Sequence, residues 1–170
     1  LLAVNGQAGN GYILDISNPN SPTVRHNYPA TSNARTPVIV KNDRLMFVPG
    51  DNVRVFNITE EMAPFLLSSF GGPSSQVVIA DSNGRYVVAG YNQGFGIYDL
   101  NLVINPITLS TVDYGQYNFV WGLAATSDFN TLFVIGSYLY RYDISNKVSP
   151  VLTATWSGQY FGEYSFFFFF

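Results

Sequence analysis

One histidine, His26, and eleven carboxylates carry almost all of the acid–base chemistry open to this chain, which has no cysteine. A single imidazole excludes a multi-histidine metal site and leaves one candidate for a Ser-His-Asp relay. His26 falls in a strand-like stretch four residues after Pro22, and it reads as a structural histidine. Asp81-Ser82-Asn83-Gly84 opens like a calcium loop but lacks the third acidic position and the closing Glu, so it reads as a turn. Asn57-Ile58-Thr59 is a glycosylation sequon at a position that the chain uses repeatedly for another purpose. No Gly-rich phosphate loop or nucleophile elbow is present. A lactonase-type metal site would need converging carboxylates, and only Asp51, Asp113 and Glu163 stand outside the repeated positions and the turns as candidates. The expectation is therefore no catalytic residue, no metal and no cofactor.

Two matching segments suit binding instead. Gly115-Gln116-Tyr117-Asn118-Phe119 and Gly158-Gln159-Tyr160-Phe161 place an amide beside an aromatic ring, and Trp121 follows the first. Aromatic faces with amide partners and few charges suit a neutral polar ligand such as a glycan, or a protein surface. The alternative is that these rings pack between structural units. The candidate ligand-binding set is Gln116, Tyr117, Phe119, Trp121, Gln159 and Tyr160, with Asn92, Gln93 and Gln7 expected on the same face.

The elements that must position these loops are announced by a phrase occurring four times. Asp15-Ile16, Asn57-Ile58, Asp99-Leu100 and Asp143-Ile144 are each followed by a proline seven positions after the first residue: Pro22, Pro64, Pro106 and Pro150. The copies are 42, 42 and 44 residues apart, a period diagnostic of repeat architecture. Each period holds four short apolar runs separated by turn residues such as Asp81-Ser-Asn-Gly84, and no amphipathic helix. Four strands per repeat of this length match one blade of an all-β propeller with four-stranded antiparallel blades. The units are 1–28, 37–70, 76–112 and 121–156, and 164–170 falls where an innermost strand would begin. The result is either four blades or a segment of a larger propeller.

The repeated proline cannot donate to a sheet ladder, so it should open the outermost strand. Six residues after it come Tyr28, Phe70, Val112 and Trp156, expected as an apolar plug in every unit. The repeated Asp or Asn is expected to turn the chain by accepting nearby backbone N–H groups. Leu1–Val4 matches the second strand of a unit, so the first blade should lack its innermost strand. Five consecutive Phe at 166–170 do not alternate as a half-buried strand would.

Tyr12-Ile-Leu-Asp-Ile-Ser-Asn-Pro-Asn-Ser-Pro22 and Tyr140-Arg-Tyr-Asp-Ile-Ser-Asn-Lys-Val-Ser-Pro150 resemble the LVIVD-repeat family, whose units carry an apolar strand, an Asp and then Ser-Asn-Pro-x-x-Pro. The second copy departs with Asn57 at the Asp position, and the third replaces Ser-Asn with Asn101-Leu102. The resemblance implies a β-propeller of bacterial or archaeal surface and secreted proteins, with no shared catalytic residues.

Composition narrows the function further. Charged residues make up 11% of the 170, under half of the roughly 25% usual in soluble domains, so solubility rests on Asn, Ser, Thr, Gln and Gly. Net charge is −3 with no basic run, which excludes the electrostatic footprint of a nucleic-acid binder. No apolar run reaches the length of a membrane span. The expected function is a non-enzymatic interaction or structural scaffold, extracellular or on a cell surface. Its partners would be a protein or like subunits, with a glycan as the alternative.

Overall fold

Short runs rich in Val, Ile, Phe and Tyr, broken by turn residues, can satisfy their backbone groups only by pairing with one another. The computed structural model describes residues 1–5, 10–30, 36–40, 44–59, 64–72, 74–115 and 119–157. These form fifteen strands and no helix, in four antiparallel sheets that follow one another along the chain.

The first sheet has three strands, β1 (Leu2–Asn5), β2 (Asn10–Asp15) and β3 (Thr23–Pro29). The second is β4 (Val38–Val40), β5 (Leu45–Val48), β6 (Val53–Asn57) and β7 (Phe65–Phe70). The third is β8 (Val77–Ala80), β9 (Tyr86–Tyr91), β10 (Gly94–Asp99) and β11 (Ile107–Asp113). The fourth is β12 (Gly122–Ala125), β13 (Thr131–Ile135), β14 (Leu139–Asp143) and β15 (Val151–Trp156). Strands pair in sequence order, and the strand after each repeated proline is the outermost. At the inner edge, β1 lies against β4, β4 against β8 and β8 against β12. These are the blades of a β-propeller, laid out as an arc. The segment 164–170 lies outside the described residues.

The repeated phrase does the same mechanical work in every blade. Backbone N–H groups of Ser17, Thr59, Asn101 and Ser145 donate to the side-chain oxygens of Asp15, Asn57, Asp99 and Asp143 at 2.8–2.9 Å. These bonds reverse the chain toward the proline. They also hold the Asp15 carboxyl below its usual range. The hydrogen bond from the Arg85 side chain is the main cause for Asp99, and those from Ser145 are for Asp143.

The next residue fastens blade to blade. Ile58, Leu100 and Ile144 are buried, each in the apolar layer shared with the preceding sheet. Ile16, with no preceding sheet among the described residues, is 40% exposed. Trp156 corrects the expectation of a plug in every unit. Tyr28, Phe70 and Val112 each face the following sheet, whereas Trp156 faces outward and is 44% exposed.

A bulge recurs where each outermost strand leaves its neighbour. The register slips by one residue between Ile13 and Leu14, Val55 and Phe56, Ile97 and Tyr98, and Arg141 and Tyr142. The residue just past the bulge can then bridge two blades. Ser68 Oγ donates to the Val103 carbonyl at 2.6 Å, and Ser110 Oγ to the Lys147 carbonyl at 2.8 Å, each in the turn of the next blade. His26 holds the same slot in the first blade, which fits its structural reading; its Nε2 is buried and makes no hydrogen bond among the described residues.

Ser68→Ala and Ser110→Ala should each cost about 1 kcal/mol, the usual net worth of one such bond. They act at different junctions, so the double variant should lose the sum. Urea titration of the three variants checks this. A double variant as stable as the parent would show that these hydroxyls do not hold the blades together.

Candidate functional site

The connection leaving an outermost strand and the hairpin joining the second and third strands meet on one face of the arc. Val120 N donates to the Tyr91 carbonyl, and Gln76 Nε2 donates to Asn92 Oδ1 at 3.0 Å. Of the six candidate binding residues, the structure describes two. Phe119 and Trp121 are half-buried neighbours with ring centroids 5.4 Å apart, and the Trp121 N–H of the backbone donates to the Ile135 carbonyl. Gln116, Tyr117, Gln159 and Tyr160 lie outside the described residues, as does Gln7.

A cavity of about 430 Å³ opens on this face at the junction of the second and third blades. Gly71, Gly72 and Ser74 line it from the connection after β7. Tyr91, Asn92 and Gln93 come from the β9–β10 hairpin, Tyr98 from β10, and Thr108 and Thr111 from β11. Ring faces, amides and hydroxyls therefore surround the space, and none of these lining side chains is charged. The Tyr98 phenol is pushed up to about 12 by burial, so it remains protonated at any physiological pH.

The repeat register explains why the space is open here. Gly96 stands three residues before Asp99, as Tyr140 stands before Asp143 and Arg54 before Asn57. Gly72 stands two residues after Phe70, as Tyr114 stands after Val112. At the junction of the third and fourth blades, Tyr114 and Tyr140 stack with centroids 4.8 Å apart and planes at 9°. Tyr138 closes on Tyr140 edge-on at 5.9 Å. At the first junction Arg54 Nη1 reaches across to the Pro29 carbonyl at 2.9 Å. Only the middle junction has glycine at both positions: Gly72 lines the cavity, whereas the Tyr98 ring occupies the space beside Gly96.

Sequence reasoning placed Asn92 and Gln93 on the correct face but missed the cavity. The signal was present as a contrast: Gly72 aligned with Tyr114 of the next repeat.

The acidic candidates are otherwise engaged or outside the described residues. Asp113 Oδ1 accepts the Gly115 N–H at 2.7 Å, which closes a turn, and Glu163 is not described. Asp81 Oδ1 accepts the N–H groups of Arg85 and Tyr86 at 2.7 and 2.9 Å, the work of a hairpin turn. Asn57 Oδ1 also receives the Thr59 hydroxyl, so the sequon side chains serve the turn. Among the described residues no three His, Asp or Glu gather as a metal ion would require, and no helix is long and apolar enough to cross a membrane.

No family model and no curated protein matches the chain. Solved structures do. A protein from Lactobacillus plantarum superposes with a TM-score of 0.72 at 12% identity, covering 88% of this chain and 51% of its own. Sqt1 of Chaetomium thermophilum, bound to the N-terminus of ribosomal protein L10, gives 0.70 at 10% identity, covering 89% and 45%. A candidate 6-phosphogluconolactonase from Bacteroides fragilis gives 0.64 at 11% identity, covering 85% and 47%. The chain spans about half the length of these structures, and at such identities the likeness shows the fold alone: a run of β-propeller blades.

Proposed function

We propose that this chain is part of a non-enzymatic propeller that serves as an interaction scaffold, on a cell surface or outside the cell, in the manner of the LVIVD-repeat proteins that its units resemble. The carrying observation is the character of the loop face. The described lining of the cavity is uncharged, made of rings, hydroxyls and amides, and the Phe119–Trp121 ring pair belongs to a connection on the same face, a surface suited to recognition. Low overall charge points the same way, because association then costs little charge desolvation. Sqt1, a structural neighbour, holds a peptide of another protein, so a protein partner is compatible with this fold.

A lactonase reading is the competitor, prompted by the lactonase-like neighbour from Bacteroides fragilis. The two separate in one experiment. The purified chain is incubated with a panel of sugar lactones, with and without added divalent cations. Hydrolysis is expected to match the protein-free rate in every case. Saturable turnover would overturn the scaffold reading.

A further inference from the structure

We infer that the cavity between the second and third blades is a binding site for a neutral polyhydroxylated ligand, a carbohydrate of one or two pyranose rings. This rests on the reading of the chain as a binding scaffold, and it names the ligand class.

The site opens where Gly72 stands at the position that Tyr114 holds in the next repeat. Where the next junction has the Tyr114–Tyr140 stack, this one has Gly72 in the lining, while the Tyr98 ring takes the space beside Gly96. The vacated space, about 430 Å³, falls within the roughly 300–1,000 Å³ of small-molecule sites. It has not collapsed, because its walls are held from outside. Ser75, 1% exposed, donates its hydroxyl to the Gly72 carbonyl at 3.2 Å and pins the connection. Gln76 donates to Asn92 Oδ1, which leaves the two N–H groups of the Asn92 amide to serve a ligand. A packing defect would be walled by apolar side chains and stay dry. Here Thr108, Thr111 and Gln93 add polar groups that only a hydrogen-bonding guest would use.

The chemistry of the wall selects the class. With no charged side chain among the described lining residues, a phosphate or carboxylate would lose its hydration without a counter-charge. A lipid would bury the amides and hydroxyls unpaired. A sugar ring satisfies both demands: its C–H face lies on the Tyr91 ring, and its hydroxyls meet amides and threonines.

The test titrates methyl glycosides of neutral hexoses, and neutral disaccharides, against the protein by saturation-transfer NMR and calorimetry. Glucuronate and glucose 6-phosphate serve as charged comparisons. Neutral sugars should bind and the charged ones should not. Affinity should hold when salt is raised to about 1 M, since no ion pair is there to be screened. Gly72→Tyr restores the bulk of Tyr114; a Cβ at Gly72 meets only the Tyr91 ring at 3.8 Å, so the variant should fold and bind at least tenfold more weakly. Thr111→Val, which keeps the shape and removes one hydroxyl, should weaken binding severalfold without altering the circular dichroism. No binding by any neutral sugar, or equal binding by the parent and both variants, would overturn the inference. Neither outcome bears on the lactone assay, which tests the scaffold reading separately.

Discussion

Phe95→Ala should cost about 3–5 kcal/mol, the range for deleting a fully buried aromatic ring. Phe95 is inaccessible to solvent and packs edge-on against Tyr142 at 5.1 Å, with Tyr114 at 6.3 Å. Val88 and Ile97 of its own blade join Leu132, Val134 and Ile144 of the next in the same layer. A propeller arc is held by such layers one after another, so each junction carries its own share of the stability. The loss should therefore be local. Urea unfolding followed by the fluorescence of Trp121 and Trp156, both in the fourth blade, and by far-ultraviolet circular dichroism, which reports all four, should show the fourth blade leaving before the other three. A single unshifted transition would mean that the junction contributes far less than its burial implies.

Gly94→Ala is expected to rival that loss although it adds only one carbon. A Cβ at Gly94 would sit 1.8 Å from the Val112 carbonyl oxygen and 2.9 Å from its carbon, both backbone atoms of the paired strand. Nothing there can rotate away, so β10 and β11 must part at their hairpin end. The bond from Tyr114 N to the Gln93 carbonyl, 2.6 Å, would go with them. Overpacking of this kind costs about 1–3 kcal/mol, and the broken ladder adds to it. Gly115→Ala is the control: its φ is +80°, but a Cβ there would have nothing within 4 Å. Its cost should stay near 1 kcal/mol, from backbone conformation alone. Thermal melts of the two variants side by side separate collision from backbone strain. Equal melting temperatures would refute the collision.

The strands were legible in the sequence because apolar runs and turn residues are local signals. The four short apolar runs expected in each period appear as the four strands of the second, third and fourth sheets. The role of Asp15, Asn57, Asp99 and Asp143 was legible because four copies at one position leave a structural task as the simplest reading. Three features were not. The bulge leaves no mark, since an extra residue in an outer strand does not interrupt its composition. Trp156 looked equivalent to Tyr28 because alignment reports position within a repeat and not which side chains pack against it among the described residues. The cavity depends on what is missing, and glycine at Gly72 resembles ordinary loop punctuation until the two junctions are compared.

The slipped register beside every peripheral strand has a consequence for solubility. A strand ending a sheet offers unpaired amides and carbonyls to any passing chain, a hazard for a sequence with 28 aromatic rings and little charge to repel a neighbour. Templated growth along such a rim needs a flat, regular donor–acceptor row. The one-residue kink at Arg25, Leu67, Leu109 and Thr153 breaks that row in every blade, and the preceding proline removes one donor more. The rim thus discourages fibril seeding by shape, in a protein that has forgone the commoner defence of surface lysines.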